Sequence, residues 1–254
     1  MTKQNELEIC AFCGEAGPLC DSHAQPRWLY RERGTDLKLI SSNEVFTKSA
    51  PIGPYERLLC PNCEKLMRPY DDYSAVFFRN RRSWLRDEKT NWWVVYKYDY
   101  SRLKLFFISL LWRAAVAKHE FYSLVELDDR TLDDLHHMIE TGDPGDEQNY
   151  SVMLAMRETD NGLEKLGWNP AITERLDNLK WCRFDLNQFP CDVKVSKQQT
   201  SFEPRVLLSR TPPLLVVTGP VYSDRLLQMK NHSLARQERE KNFKELRSPK
   251  QDGS

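Results

Sequence analysis

The sequence predicts an α+β fold in which a small metal-stabilised N-terminal module precedes a larger domain of mixed helices and strands. Two Cys-x-x-Cys pairs near the N-terminus predict the module. A β-branched and aromatic run at 92–98 predicts a strand, and apolar residues at helical spacing over 102–118 predict a long helix. We therefore expect the module at 1–90, an α+β domain at 91–247 and a disordered tail at 248–254.

The cysteine pairs carry the strongest chemical signal in the chain. They consist of Cys10, Cys13, Cys60 and Cys63. Each pair has the spacing that places two thiolates on one tetrahedral metal, so two pairs predict a closed, structural zinc site. Cys20 and His23 form an alternative Cys-x-x-His pair. We favour the four cysteines, which leaves Cys20 as a buried thiol and Cys182 and Cys191 as core residues.

The N-terminal elements follow from local signals. We expect a short strand at 9–13, a turn at 14–18, a helical turn at 28–33, an irregular or extended segment at 36–47 and a turn at Gly53–Pro54. A strand should end at Cys60. A helix should open at Pro61, carry Cys63 and Glu64, and continue to Phe77 with a kink at Pro69.

Beyond the module, the long helix at 102–118 is followed by a second helix at 131–140. Thr131 is its expected N-cap and Gly142 its stop, before a loop at 142–146. Strands are expected at 206–208 and 214–217, around a proline-rich turn. A polar, charged helix is expected at 223–247.

Composition limits the classes of function. The 254 residues carry a formal net charge of +0, with 40% hydrophobic and 11% aromatic residues. A nucleic-acid site must therefore be a local patch, because the whole molecule has no long-range attraction for phosphate. The start is polar, and the longest apolar stretch is too short to span a bilayer, so we expect a cytoplasmic protein without membrane contact. Seven cysteines there indicate metal binding or free thiols.

The motif set resembles the HNH (ββα-metal) endonuclease family over roughly residues 8–75. The matching segments are Asp21-Ser22-His23-Ala24-Gln25-Pro26 and Leu58-Leu59-Cys60-Pro61-Asn62-Cys63-Glu64. The chain is still more similar to a group of bacterial proteins with an SH-x-x-P-[RK]-x-L-Y segment and an LLC-x-x-CE segment. An acidic, tyrosine-rich stretch follows, here Tyr70-Asp71-Asp72-Tyr73. The resemblance implies an HNH-like or treble-clef module around the zinc.

The resemblance also implies a reaction, metal-assisted hydrolysis of DNA phosphodiester bonds, with a role in bacterial defence. RNA is an alternative substrate. Neutral His23 would deprotonate the attacking water. Mg²⁺ or a similar divalent ion would stabilise the phosphate, with Glu64 and Asp21 as nearby carboxylates, and Arg27 would bind phosphate.

Two departures from the family pattern leave a second hypothesis open. Ser22 stands where the family has an acidic or histidine metal ligand. The family's asparagine before the second cysteine pair is replaced by Tyr55-Glu56-Arg57, and Asn43 lies far upstream. The alternative is a catalytically inactive, zinc-organised module that binds nucleic acid or a protein partner, the latter through the C-terminal domain.

A basic stretch near the C-terminal end of the module is the candidate nucleic-acid interface. Arg79, Arg81 and Arg82 alternate there with aromatic residues, a pattern that suits a phosphate backbone and equally suits a solvated basic face. His23 and Glu64 also have purely structural interpretations. His23 could hydrogen-bond the backbone of its loop, and Glu64 could be a first-turn residue whose negative charge favours the helix. His119, His136 and His137 are expected at the surface or its boundary, and the stretch 112–115 in the core.

Overall fold

The computed structural model describes residues 8–31, 38–40, 47–49, 55–159, 162–163, 171–176, 178–186 and 188–218. The expected helix at 223–247, the expected tail at 248–254, Asn43 and the turn at Gly53–Pro54 lie outside these residues. Helices and a seven-stranded mixed sheet confirm the predicted α+β class.

Short antiparallel strand pairs build the N-terminal region. The strands are β1 (Glu8–Ile9), β2 (Ala16–Gly17), β3 (Asp21–Ser22), β4 (Lys38–Ile40), β5 (Thr47–Ser49) and β6 (Glu56–Arg57). β1 pairs with β2, β3 with β6, and β4 with β5. α1 (Trp28–Arg31) lies at the position where a helical turn is predicted. The first cysteine pair thus sits in the turn between β1 and β2.

The helix that opens at the second cysteine pair is α2 (Pro61–Arg79). Pro61 lies in its first turn, where a missing N–H removes no intrahelical bond and the ring presets the helical φ angle. The helix continues through Pro69, so the predicted helix from Pro61 to Phe77 is confirmed. Its buried face runs from Cys63 to Phe78 and packs against the helix at Tyr100–Val116.

The larger region is built on one mixed sheet. Its strands are β7 (Leu85–Arg86), β8 (Trp93–Val95), β9 (Val152–Met156), β12 (Ile172–Leu176), β13 (Leu179–Leu186), β14 (Phe189–Lys194) and β15 (Leu214–Thr218). Their order is β12-β13-β14-β9-β15-β8-β7. Among these described strands β15 and β9 run parallel, and the other neighbours run antiparallel. A separate hairpin joins β10 (Glu158–Thr159) and β11 (Gly162–Leu163).

Two further helices complete the described fold, α3 (Tyr100–Val116) and α4 (Asp129–Thr141). α3 matches the helix predicted at 102–118. It packs against α2, α4 and β14, and this central position explains why every residue from Leu103 to Ala114 is buried. Asp99 caps it by accepting from the Arg102 N–H at 3.0 Å.

One cluster of buried side chains joins the cysteine region to the sheet. The Phe78 ring on α2 lies 4.8 Å from the Phe189 ring on β14 and 6.4 Å from the Phe107 ring on α3. Cys182 and Cys191 are fully buried, as predicted. The domain boundary near residue 90 remains a prediction, and the helices on either side of it share this core.

Two of the predicted strands differ from the structure. The strand expected at 92–98 is limited to Trp93–Val95, where its partners β7 and β15 lie. The strand expected at 206–208 is wrong, because Pro204 starts a 3-10 turn at Pro204–Val206. The predicted strand at 214–217 is confirmed by β15.

The predicted N-cap of α4 is also wrong, by three residues. Asp128 is the cap, and its carboxylate accepts from the Thr131 N–H at 2.8 Å. The predicted stop at Gly142 is confirmed, with a left-handed φ of 68° that favours glycine. Among the described helices, none combines the length and apolarity needed to cross a bilayer.

Asp128→Ala should lower the free energy of unfolding by about 1 kcal/mol, because the Thr131 N–H loses its acceptor. That hydrogen bond lowers the pKa of Asp128 in the folded protein. The contribution should therefore be present above the unfolded-state pKa and disappear as the pH falls through the folded-state pKa. Chemical denaturation at several pH values measures both effects. Asp133→Ala, at an exposed position on the same helix, is the control, and equal losses would contradict the capping role.

Candidate metal centre and the adjoining loop

The four predicted cysteines converge on one point. Their Sγ atoms all lie within 4.8 Å of one another, and Cys13 and Cys60 are separated by 3.8 Å. A tetrahedral ion with Zn–S bonds of about 2.3 Å requires sulfurs roughly 3.8 Å apart. Within the described part of the chain, no other group of three or more His, Cys, Asp or Glu ligand atoms is as close. The cluster can hold a metal ion, and its all-sulfur donor set fits zinc.

Backbone hydrogen bonds fix both cysteine pairs. In the first pair the Cys10 N–H donates to the Glu15 carbonyl at 2.9 Å, and Gly14 turns the chain with a φ of 73°. The Ala11 N–H donates to the Leu58 carbonyl at 3.0 Å, which ties the first pair to the second. The Cys60 N–H points at the Cys10 sulfur, 3.3 Å away. The sulfurs are thus held together by the backbone around them.

The surroundings of the cysteines shift the pKa values of their thiols in opposite directions. Burial raises the pKa of the Cys10 thiol, but N–H donors of Cys13, Cys60 and Phe12 outweigh it and lower the pKa to about 7. Burial and the neighbouring sulfurs raise the pKa of Cys63. A bound cation would favour the thiolate form of all four, so metal affinity should fall as the pH falls.

The predicted catalytic residues lie beside this cluster. Asp21 is exposed on β3, His23 is half-buried directly after β3, and Glu64 is half-buried in the first turn of α2. Burial raises the pKa of Cys20, and the charges of Glu64, Cys60 and Asp21 add to the rise, so the two carboxylates lie near Cys20. The His23 ring lies 5.8 Å from the Tyr55 ring. The roles of these residues remain predictions.

Ser22 has a structural position. Its side chain is buried, and its hydroxyl accepts from the Leu59 N–H at 3.3 Å and donates to the Cys20 carbonyl at 3.4 Å. The Cys20 N–H in turn donates to the Leu59 carbonyl at 2.8 Å. The serine therefore joins β3 to the chain that enters the second cysteine pair.

Arg113 is the site residue that sequence reasoning missed. Its side chain comes from α3, is 2% exposed, and binds both Asp71 carboxylate oxygens at 2.8 and 3.0 Å. The same guanidinium donates to the His23 backbone carbonyl at 3.2 Å. The available signal was an arginine within a stretch otherwise apolar enough for the core, because a buried arginine requires a partner. Sequence reasoning placed it in the core without assigning a partner.

The loop that carries His23 has further anchors on the α3 side. The Gln25 N–H donates to the Tyr122 hydroxyl at 3.3 Å, and the Glu56 carboxylate accepts from the Lys118 N–H at 3.0 Å. Burial lowers the pKa of Arg113, while the carboxylates of Asp71 and Glu64 raise it, with a net rise. The Asp71 carboxylate and the His23 carbonyl are therefore joined by one buried cation.

The four predicted arginines occupy different places. Arg27 and Arg82 are exposed. The Arg79 guanidinium lies over the Trp28 ring, 5.6 Å from its centroid, and that of Arg81 lies over the Phe189 ring at 5.4 Å. The structure brings Arg79 and Arg81 to one pocket between α1, the end of α2 and the β13–β14 turn.

The histidines set aside at the sequence level have structural contacts. The His136 ring stacks on the Phe12 ring with centroids 4.1 Å apart, and its Nε2 lies 2.9 Å from the Phe12 carbonyl oxygen. His119 caps the 3-10 turn at Glu120–Tyr122 by accepting from the Phe121 N–H. His137 is exposed on α4.

Comparison of the chain with protein-family models, with curated proteins and with solved structures finds no match.

Metal analysis should find about one zinc ion per chain, because four thiolates fill a tetrahedral shell. Cys10→Ser and Cys63→Ser should each lose the ion and unfold the N-terminal region, since metal binding contributes directly to folding. Plasma emission spectrometry and circular dichroism measure the two effects. Cys20→Ser is the control and should keep the ion, because Cys20 lies outside the cluster. Protein purified without chelator and free of zinc would refute the assignment.

Arg113→Ala should lower the free energy of unfolding by about 3–5 kcal/mol, because it leaves the Asp71 carboxylate and the His23 carbonyl without their donor. Arg102→Ala is the control on the same helix. Its side chain is 60% exposed and pairs with Asp99, so we expect a loss of at most about 1 kcal/mol.

Urea denaturation of both variants gives the comparison. The double variant Arg113→Met with Asp71→Leu should recover much of the loss, because an apolar pair can replace a buried ion pair. Equal losses in Arg113→Ala and Arg102→Ala would show that the buried pair does not hold the loop.

Proposed function

We propose that residues 8–79 form a zinc-organised, HNH-like module that hydrolyses nucleic-acid phosphodiester bonds with the help of a divalent ion. The observation that carries the proposal is the order of elements around the four cysteines. A strand that ends at Ser22, directly before His23, pairs with a second strand, and the second cysteine pair then opens a helix with Glu64 in its first turn. This strand–strand–helix order is what the HNH resemblance predicts.

The proposed roles follow from the resemblance to the HNH family. His23 accepts the proton of the attacking water, and its backbone carbonyl is held by Arg113. Glu64 and Asp21 offer hard oxygen ligands to Mg²⁺ or a similar ion. When bound, that ion supplies positive charge for the phosphate and the leaving oxygen. Zinc in the cysteine cluster has a structural role, because four thiolates leave no open position.

DNA is the proposed substrate, with RNA as the alternative. Support comes from four cationic side chains just before α1, at the end of α2 and just beyond it, namely Arg27, Arg79, Arg81 and Arg82. Because the net charge of the chain is +0, binding must depend on such a local patch. A role in bacterial defence is consistent with a nuclease and rests on the sequence resemblance alone.

A second candidate function is a non-cleaving module that binds nucleic acid, or a protein partner through the region after residue 90. The position of Ser22 favours it. The family pattern places a metal ligand there, whereas this serine is 1% exposed and its hydroxyl bonds the backbone of Leu59 and Cys20. A serine so placed contributes to the fold of the loop.

His23→Ala should reduce the rate of plasmid nicking on the order of 10²–10⁴-fold, the usual effect of losing a general base. Supercoiled plasmid and circular single-stranded DNA are incubated with zinc-loaded protein and increasing Mg²⁺ or Mn²⁺. His137→Ala removes an exposed histidine on α4 and should cut at the wild-type rate. Glu64→Gln should require a higher Mg²⁺ concentration while it retains zinc.

The outcomes separate the two functions. If folded, zinc-loaded wild type cuts neither DNA form nor an RNA control at any Mg²⁺ or Mn²⁺ concentration, the nuclease proposal fails and the binding module is favoured. If wild type cuts and His23→Ala cuts equally fast, the proposed general base is wrong.

A further inference from the structure

A pocket of about 280 Å³ lies at the far end of α2 from the cysteine cluster. Trp28 from α1, Arg79 and Arg81 from the end of α2 and just beyond it, and Gln188 and Phe189 from the β13–β14 turn line it. The pocket joins the N-terminal region to the sheet, so its walls come from segments far apart in sequence. Sequence reasoning placed the arginines on a nucleic-acid interface without identifying a pocket.

Each of the two arginines lies over an aromatic ring. Arg79 is exposed above Trp28, and half-buried Arg81 lies above Phe189. In the amide orientation that satisfies both of its polar atoms, Gln188 accepts from Arg81 Nη1 at 2.8 Å and from Nη2 at 3.1 Å. Both guanidinium groups are therefore positioned by cation–π contacts, and that of Arg81 also by hydrogen bonds, which lowers the entropy lost when a ligand binds.

Trp28 is the accessible aromatic residue of the pocket. It is half-buried, its Nε1–H donates to the Ser74 hydroxyl at 3.2 Å, and its ring stacks on Phe78 at 5.8 Å. The aromatic residues next to the arginines in sequence, Phe77, Phe78 and Trp84, are buried in the core and cannot stack on a base. A base that stacks here must use Trp28 or the guanidinium planes.

We propose that this pocket binds one unpaired nucleotide of a single-stranded nucleic acid. The base stacks on the Arg79 guanidinium, which lies over the Trp28 ring, and Arg81 binds the adjoining phosphate. The volume of about 280 Å³ lies near the lower end of the range of small-molecule sites, roughly 300–1,000 Å³, and so suits one nucleotide at most. Positively charged side chains beside aromatic faces are the recognition chemistry of single strands.

This inference rests on the proposed function in one respect, because it assigns single-stranded regions as the substrate class of the same module. At about 1.5 Å of rise per residue, Glu64 and Arg79 lie roughly 22 Å apart along α2. A strand held in the pocket could reach the His23 loop only if several nucleotides separate the bound base from the scissile bond. The pocket would then position the strand at a distance from the reaction.

Fluorescence anisotropy with a labelled 12-nucleotide single-stranded DNA tests the pocket. The buffer contains zinc-loaded protein and no added divalent ion, so that binding is measured without cleavage. Arg79→Gln with Arg81→Gln, and separately Trp28→Leu, should each weaken binding roughly 10-fold or more. The control is Arg102→Gln with Arg205→Gln. It removes the same charge from exposed side chains outside the pocket and should bind within about 2-fold of wild type.

Two competitors identify the ligand. The matched duplex should compete weakly, and thymidine monophosphate should compete only at far higher concentration than the oligonucleotide. Competition by the mononucleotide at oligonucleotide concentrations would assign the pocket to a free nucleotide and overturn the proposal. So would preferential binding of the duplex, equal losses in the pocket and control variants, or no binding by folded wild type.

This binding test and the cleavage test fail independently. His23→Ala should bind the single strand as tightly as wild type, because it leaves the pocket intact. Cleavage by wild type with unchanged binding in the pocket variants would refute the pocket alone. Binding that depends on the pocket in a protein that never cleaves would refute the nuclease alone. Thermal unfolding curves confirm that each variant is folded.

Discussion

The convergence of four cysteine sulfurs is the constraint on which the N-terminal architecture depends. Their mutual distances of at most 4.8 Å join the turn after β1 to the first turn of α2. The strands in this region are two or three residues long, too short to be stable without tertiary partners. A metal ion on the thiolates would supply free energy that a larger apolar core provides elsewhere. The His23 loop is closed by the same junction, because β3 and β6 lie between the two pairs.

Helix α3 connects this junction to the remainder of the described fold, and it does so with buried charge as well as apolar packing. Arg113 joins Asp71 of α2 to the carbonyl of His23. Lys104, on the same helix as Arg113, donates to the carbonyls of Asn149 and Tyr150 at 2.7 and 2.6 Å. Burial, and then the charge of Lys194, lowers the pKa of Lys104 to about 7. The two buried side chains thus differ, since Arg113 binds a carboxylate whereas Lys104 donates to backbone carbonyls.

The basic stretch after α2 shows how packing redistributes a sequence pattern. Its aromatic residues face the core, where the Phe77 and Trp84 rings lie 5.3 Å apart, and its arginines remain towards the surface. The arginines find their aromatic partners in Trp28 and Phe189, which belong to α1 and β14. A pattern that reads as alternating aromatic and basic residues therefore becomes a pocket assembled from three separate segments.

The sequence by itself determined the α+β class, the cysteine quartet, α2 and α3, because cysteine spacing and helical periodicity are local signals. It did not predict β9 or β12 to β14. In β14 the apolar residues Phe189, Cys191 and Val193 do alternate with Pro190, Asp192 and Lys194, but a proline inside the run argues against a central strand, and the burial of all six residues is not visible in the sequence. Only the tertiary structure decided the partners of Arg113, the structural use of Ser22 and the grouping of Arg79 with Trp28. These are contacts between distant segments, and their energies depend on burial and geometry that no local pattern contains.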